Sequence, residues 1–429
     1  MLGFMDFVQN SFLDLTNWDR DNSYGTLNLT PQRKNDSIYS EVARLTCPTD
    51  ILDFTTPSSF RLHVSSLPSP NFASSYTVGT SGLLDGSLSY LYTSRSLADV
   101  ATSSRHINLR LLLPGYRSLQ ALRKPDNASS GQIWQRGKRV DRPDALLYGR
   151  LYLPHSTLEA LYMRRLGTKT QLKISCVSDS KLPNGGTLLA HLIHDQAKYC
   201  TEYLYSTDSA LLGVRGLYNF GSEVTANASS PKERVTQAAS ISEGSSPDPV
   251  DPASNSHGRF SAGGEVYYGL LNKSGGLSAG LRFATLPSHT GFPYTMTLTL
   301  NPLMGGLSST YSVHATPKLA LSSRFEFNVY SYESELQVGT ELWQSSQKQP
   351  IEDLSWARLK LGQELRPIGE QLDSDLSGCL KAKLNQRGSL GLLWEGRVKE
   401  LLYSCGVMID LRGGERMFKG VGIEFHYSP

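Results

Sequence analysis

The sequence predicts an all-β chain closed into a transmembrane β-barrel, and three observations carry that reading. Through most of the C-terminal half, apolar and polar residues alternate with one parity, the period of a pleated strand with an oily and a wet face. The segment "KGVGIEFHY" (419–427) is such a strand and only Ser428 and Pro429 follow it, so its edge is expected to pair within a closed ring. Only 19% of residues are charged, below the roughly 25% of ordinary soluble domains, while 38 Gly and 21 Tyr suit tight turns and aromatic rims.

Residues 1–18 form the first element, an amphipathic helix with Phe4, Phe7, Val8, Phe12 and Leu15 at helical spacing. Such a helix can pack in a core, lie in a barrel lumen or rest on a membrane surface. Residues 19–50 are polar and irregular. A single barrel is expected over 52–429. Its strands in the N-terminal half are expected near 60–66, 73–80, 86–93, 106–113, 146–153, 158–165, 170–178, 187–194, 197–206 and 211–220. Segments 106–113 and 158–165 fit the pattern least and could equally be helix or loop. Residues 114–145 make a moderately basic insertion. Residues 222–258 are Ser/Pro-rich with almost no large apolar side chain, so a disordered loop is expected there.

The C-terminal half reads as strands near 259–271, 276–285, 294–301, 307–315, 319–330, 334–344, 355–365, 376–385, 388–398, 402–411 and 418–427. Connections such as "NKSGG", "NPLMGG" and "NQRG" separate them. One face carries Leu277, Leu281, Met296, Leu298, Leu300, Leu321, Phe325, Leu336, Val338, Leu342, Leu359 and Val407. The other carries Ser278, Arg282, Arg324, Glu326, Glu341, Lys360, Lys381, Lys383 and Glu424. The total is about twenty-one segments, each near the 9–11 residues with which a tilted strand crosses the hydrocarbon. On this pattern an arginine at Leu281 faces lipid, and one at Ser278 is expected to be mild.

Several function classes drop out. A net charge of +3 gives no footprint for nucleic acid. The five cysteines, Cys47, Cys176, Cys200, Cys379 and Cys405, show no CxxC spacing, so neither a disulfide framework nor a metal site is expected. No secretory signal and no run of eighteen apolar residues is present, but a hydropathy window is blind to barrel strands. "GLSAG" (276–280) matches a nucleophile elbow, yet Ser278 lies inside an alternating strand rather than at a strand–helix turn. "GQIWQRGKR" (131–139) lacks the spacing of a phosphate loop, and His191 and His194 point to opposite faces. No catalytic residues, cofactor or metal are expected.

In "GSLSYLYTS" (86–94), Tyr90 and Tyr92 share one strand face. They suit either an aromatic girdle at the membrane interface or a partner-binding hot spot. A soluble sandwich or propeller could use the same alternation, but would leave the final strand uncovered.

Taken together, "DNSYGTLNLT", "LDFTTPSSFRLHVSSLPSPNFASSYTVG", "GSLSYLYTS", "LLYGRLYLP", "STDSALLGVRGLYNFG", "GGEVYYGLLNKSGGLSAGLRF" and "LTLNPLMGGLSSTYSVH" resemble the fungal mitochondrial distribution and morphology protein 10 family. The resemblance covers nearly the whole chain outside the three irregular stretches. It implies a non-enzymatic, porin-like barrel of about nineteen strands in the mitochondrial outer membrane, with first and last strands parallel. It implies two sets of partners besides membrane lipids. One is the tether and lipid-transfer subunits of the ER–mitochondria encounter structure, with roles in phospholipid exchange, mitochondrial morphology and genome maintenance. The other is the sorting and assembly machinery, which inserts outer-membrane proteins. Tyr90 and Tyr92 would then meet the tether partner. The C-terminal strand resembles the mitochondrial β-signal, with Lys419 as the polar residue, Gly422 three later, and Phe425 and Tyr427 as its large hydrophobics. A porin-type metabolite channel and a soluble β-propeller scaffold are the alternatives.

Overall fold

Strands that alternate oily and wet need a surface with hydrocarbon on one side and polar groups on the other, and the computed structural model supplies one. Nineteen strands form a single closed sheet. The structure describes residues 1–429 except 17, 20, 27–50, 58, 81–83, 99, 101, 121, 123–133, 136–137, 140–143, 155, 181, 183–184, 221–257, 288, 290, 346–375 and 413–417.

Helix α1 (Phe4–Leu15) comes first, followed by β1 (Phe60–Ser69), β2 (Phe72–Thr80) and β3 (Leu84–Thr93). The long connection after β3 carries α2 (Leu109–Leu112) and a separate hairpin of β4 (Trp134–Gln135) and β5 (Lys138–Arg139). The wall resumes with β6 (Ala145–Leu153), β7 (Thr157–Arg165), β8 (Thr170–Ser178), β9 (Gly186–Asp195), β10 (Tyr199–Ser206) and β11 (Leu211–Phe220). It continues with β12 (Gly258–Gly269), β13 (Ser274–Thr285), β14 (Tyr294–Asn301), β15 (Gly306–Thr316), β16 (Leu319–Asn328) and β17 (Ser334–Ser345). β18 (Leu376–Asn385), β19 (Ser389–Val398), β20 (Leu401–Asp410) and β21 (Phe418–Tyr427) complete it. Successive wall strands pair antiparallel, and β21 returns to β1 in parallel.

Two of the twenty-one expected segments need comment. Residues 106–113 are not a strand: Asn108 accepts a hydrogen bond from the Arg110 amide at 3.0 Å and starts the short α2 instead. Residues 355–365 lie outside the described residues, as do Leu359 and Lys360, and β17 pairs directly with β18. Segment 158–165, also ambiguous in sequence, is β7. The other expected segments each coincide with a strand of the wall.

The two faces sort as the parity requires. Leu277, Leu281, Met296, Leu298, Leu300, Leu336, Val338 and Leu342 are exposed on the outside. Ser278, Arg282, Arg324, Glu341, Lys381 and Glu395 are buried on the inside. The three long connections, 94–144, 221–257 and 346–375, all leave from one end of the ring, and short turns close the other. At one such turn Gly388 has φ +81°, a left-handed conformation that a side chain would strain.

Segments of the chain itself occupy the lumen. The Asp6 carboxylate accepts the Gly3 amide at the start of α1, and at its end the Thr16 amide and hydroxyl donate to Phe12 and Leu13 carbonyls. The helix packs with Leu97, Ile107, Leu109 and Leu112 against Leu91, Leu146, Met163, Trp343 and Leu402. These wall residues occupy inward positions near the long-loop end, so the inner face is dry there rather than wet throughout. Of the three settings open to the amphipathic helix, the lumen is the observed one.

Two more segments cross the interior. Asn22 donates to Asp195 at 2.5 Å, and Asn219 donates back to Asn22 at 2.7 Å. The Tyr24 hydroxyl donates to Ser278, which donates to Glu265 at 2.6 Å. Burial pushes the Tyr24 phenol up to about 12, so it remains a neutral donor in this chain. Residues 51–57 lie along β16–β21. Arg324 grips Asp53 with two bonds of 2.6 Å, and Lys383 donates to the Phe54 carbonyl at 2.6 Å. Where this segment reaches the last strands, Gly406 and Gly422 stand directly opposite each other. A Cβ on either would come within 2.5 Å of Pro57, so only bare backbone admits the segment there.

Arginine in place of Leu281 should destabilise the folded barrel by about 2–4 kcal/mol, measured by denaturant unfolding in lipid vesicles. The structure reverses the expectation for Ser278. That hydroxyl is enclosed and bonded to Tyr24 and Glu265, so an arginine there should be at least as damaging in the same assay. Gly422→Val should displace Pro57 and cost about 1–3 kcal/mol through overpacking, read as loss of the compact band in unheated SDS gels.

Candidate functional site

The residues singled out in the sequence cluster around the place where the ring closes. β1 and β21 are paired in parallel over Phe60–Val64 and Ile423–Tyr427 only, five residues on each strand. Leu62 stands opposite Phe425 and Val64 opposite Tyr427, which puts both hydrophobics of the terminal segment on the outer face of the seam. Phe60 and Phe425 pack there with ring centroids 6.0 Å apart. Lys419 forms an ion pair of 2.6 Å with Asp410 on β20. Gly422 faces the lumen against Pro57, and the Ile423 amide donates to the Ser59 carbonyl at 3.2 Å. Each of these residues therefore has a role in the finished seam, whatever else reads it.

Two strands away, Tyr90 and Tyr92 lie on the outer face of β3 and are each 42% exposed. Phe72 of β2 stands opposite Tyr92, and its ring stacks on Tyr90 at 5.7 Å. On the other flank Gly149 of β6 faces Tyr90 and leaves the ring uncovered, while Leu147 faces Tyr92. With exposed Tyr76, these side chains make one outward aromatic patch. Tyr92 is the penultimate residue of β3, so the patch reaches the rim from which the long connections leave. Aromatic rings at a barrel rim suit the lipid headgroup level and suit protein contact equally.

Two constellations escaped sequence reading. His63 on β1 and His426 on β21 are register partners at the seam. Their imidazoles stack at 4.2 Å, and Glu424 lies beside them on the same inner face. Nothing in "LHV" or "EFHY" signals this, because 363 positions separate the two histidines until the ring closes. The lumen network was equally hidden. His191 bonds Glu202 at 2.9 Å, Glu202 accepts from Ser23 and the Tyr24 amide, and Arg215 pairs with Glu265 at 3.1 Å. His194 meets Thr170 instead, so the two histidines remain on separate errands. The block "DNSYGT" within 21–26 was visible as a motif, but its partners lie more than 170 residues away.

Comparison with known proteins places the chain among relatives. The family profile described as "Mitochondrial distribution and morphology protein 10" matches residues 1–366 and 357–429. A protein of that name from Phaeosphaeria nodorum is 53% identical, with 100% of both chains covered. Its namesakes from Sclerotinia sclerotiorum and Podospora anserina are 47% and 39% identical, again over 100% of both chains. The chain belongs to the mitochondrial distribution and morphology protein 10 family.

Proposed function

We propose that this chain is a non-enzymatic barrel of the mitochondrial outer membrane. In this reading it anchors the mitochondrial side of the ER–mitochondria encounter structure and associates with the sorting and assembly machinery. The observation that carries an anchoring role over transport is the occupation of the lumen by the chain's own segments. α1, residues 21–26 and residues 51–57 occupy the interior, where Arg324 and Lys383 hold chain segments and Lys381 bonds Glu395 and the Pro114 carbonyl. A wall stiffened from inside is suited to presenting an outer surface to partners.

The aromatic patch of Phe72, Tyr76, Tyr90 and Tyr92 is the surface assigned to the tether subunits. Rings offer large contact area with few torsions to freeze, and a rim position lets a partner reach them from the aqueous side. Tyr90→Ala with Tyr92→Ala should abolish co-purification with the tether and lipid-transfer subunits and leave the barrel membrane-integrated. Unchanged recovery of those subunits would reject the assignment.

Lys419, Gly422, Phe425 and Tyr427 are assigned as the sorting signal. Serine at both Phe425 and Tyr427 should leave the chain extractable by alkaline carbonate, whereas normal retention would refute a signal at that strand. The porin-type channel reading makes the opposite claim about the interior. Reconstituted protein is expected to show no open pore in planar bilayers, and a stable, ion-selective conductance would favour the channel. A propeller is set aside by the fold itself, since its blades are separate small sheets and these strands form one ring.

A further inference from the structure

We propose that the closing seam carries a binding site for one divalent late transition-metal ion, zinc being the fitting case, formed by His63, Glu424 and His426. One ligand atom from each of the three lies within 4.8 Å of the other two. Two imidazoles and a carboxylate are a donor set of the kind zinc takes in three-ligand sites, with a water in the fourth position. The ligands come from both strands of the seam. His63 belongs to β1, and Glu424 and His426 belong to β21 at a spacing of two that keeps them on one face.

Two independent features point to a ligand. His426 is buried, and its Nε2 has no hydrogen-bond partner among the described residues. A buried ring nitrogen left in this way is costly unless something satisfies it. His63 is held through Nδ1 by the Thr77 hydroxyl of β2 at 2.9 Å, the kind of outer-shell bond that fixes a ligating imidazole with its other nitrogen free. The rings are stacked with centroids 4.2 Å apart and 3° between their planes, so one ring must turn out of the stack for both nitrogen lone pairs to point at one ion. Tetrahedral zinc with bonds of 2.0–2.1 Å needs donors about 3.3 Å apart, so donors that lie within 4.8 Å must draw in by up to about 1.5 Å through side-chain rotations that unstack the rings. Arg61 is the competitor: its guanidinium is 3.9 Å from Glu424 and the side chain is 45% exposed, so it can swing away.

The location gives such an ion its consequence. β1 and β21 share the shortest ladder of the ring, and metal ligation would link them directly across it. Because the site exists only when the first and last strands meet, binding free energy there is ring-closing free energy.

The test uses full-length protein without a polyhistidine tag, metal-stripped in detergent and titrated with zinc chloride and with cobalt chloride. Expected are one zinc ion per chain by calorimetry, the visible absorption bands of tetrahedral cobalt, and a zinc-dependent rise in thermal unfolding temperature. E424Q and H63Q should lose the cobalt bands and the thermal shift, and T77V should bind about 10–100-fold more weakly. H426Q is included, but its buried position can impair folding, so E424Q and T77V are the deciding variants. Absence of stoichiometric binding, or E424Q and H63Q binding as the parent does, would overturn the proposal and assign any bound metal to other groups, such as the cysteines.

Discussion

The constraint on which this structure depends is that hydrocarbon offers no hydrogen-bond partner to a backbone amide or carbonyl. Each orphaned group inside a bilayer costs several kcal/mol, so a sheet there must have no free edge. Eighteen junctions of the wall meet this demand as antiparallel neighbours. The last is met by a parallel pairing, because an odd number of strands brings the first and last into the same direction. The parallel seam is thus a necessity of the strand number rather than a choice of sequence. It is also thin, and the chain reinforces it from within, with Pro57 seated on Gly406 and Gly422 and with Ser428 tied to residues 102 and 104.

Inside the ring the same rule acts on side chains. An inward arginine or lysine with no partner would be as costly as a bare amide, and the interior answers with segments of the chain. Arg324 takes Asp53, Lys383 takes backbone carbonyls of 52 and 54, and Lys381 takes Glu395, which also pairs with the amino group of Met1. The wall and its contents are therefore joined by ion pairs and by bonds from wall cations to backbone carbonyls.

Much of the wall was legible because its signal is local. Parity along β12–β17 and β18–β21 shows which side chains face lipid, and turns such as Gln386–Gly388 mark where each strand stops. The interior was not legible, because it is made of contacts between distant positions. Leu91, Leu146 and Trp343 break the inner polar pattern only because α1 packs there, and no window of neighbouring residues reveals that. Segment 106–113 was ambiguous for a related reason: its apolar run serves the plug rather than the wall. The aromatic patch was half visible. Tyr90 and Tyr92 share a strand, but Phe72 joins them only through the register of β2 with β3.

The path of the N-terminal segments has a further implication for how the molecule can be made. α1 sits toward the long-loop end, whereas β1 begins at the opposite mouth, and residues 51–57 cross the inner face of β16–β21 before the wall starts. A finished cylinder would have to admit a helix roughly 10–12 Å across. The geometry favours the reverse sequence, with the filling laid down first and the sheet wrapped around it like cloth on a mandrel. The final zip, β21 onto β1, then locks in a cargo that is the protein's own beginning.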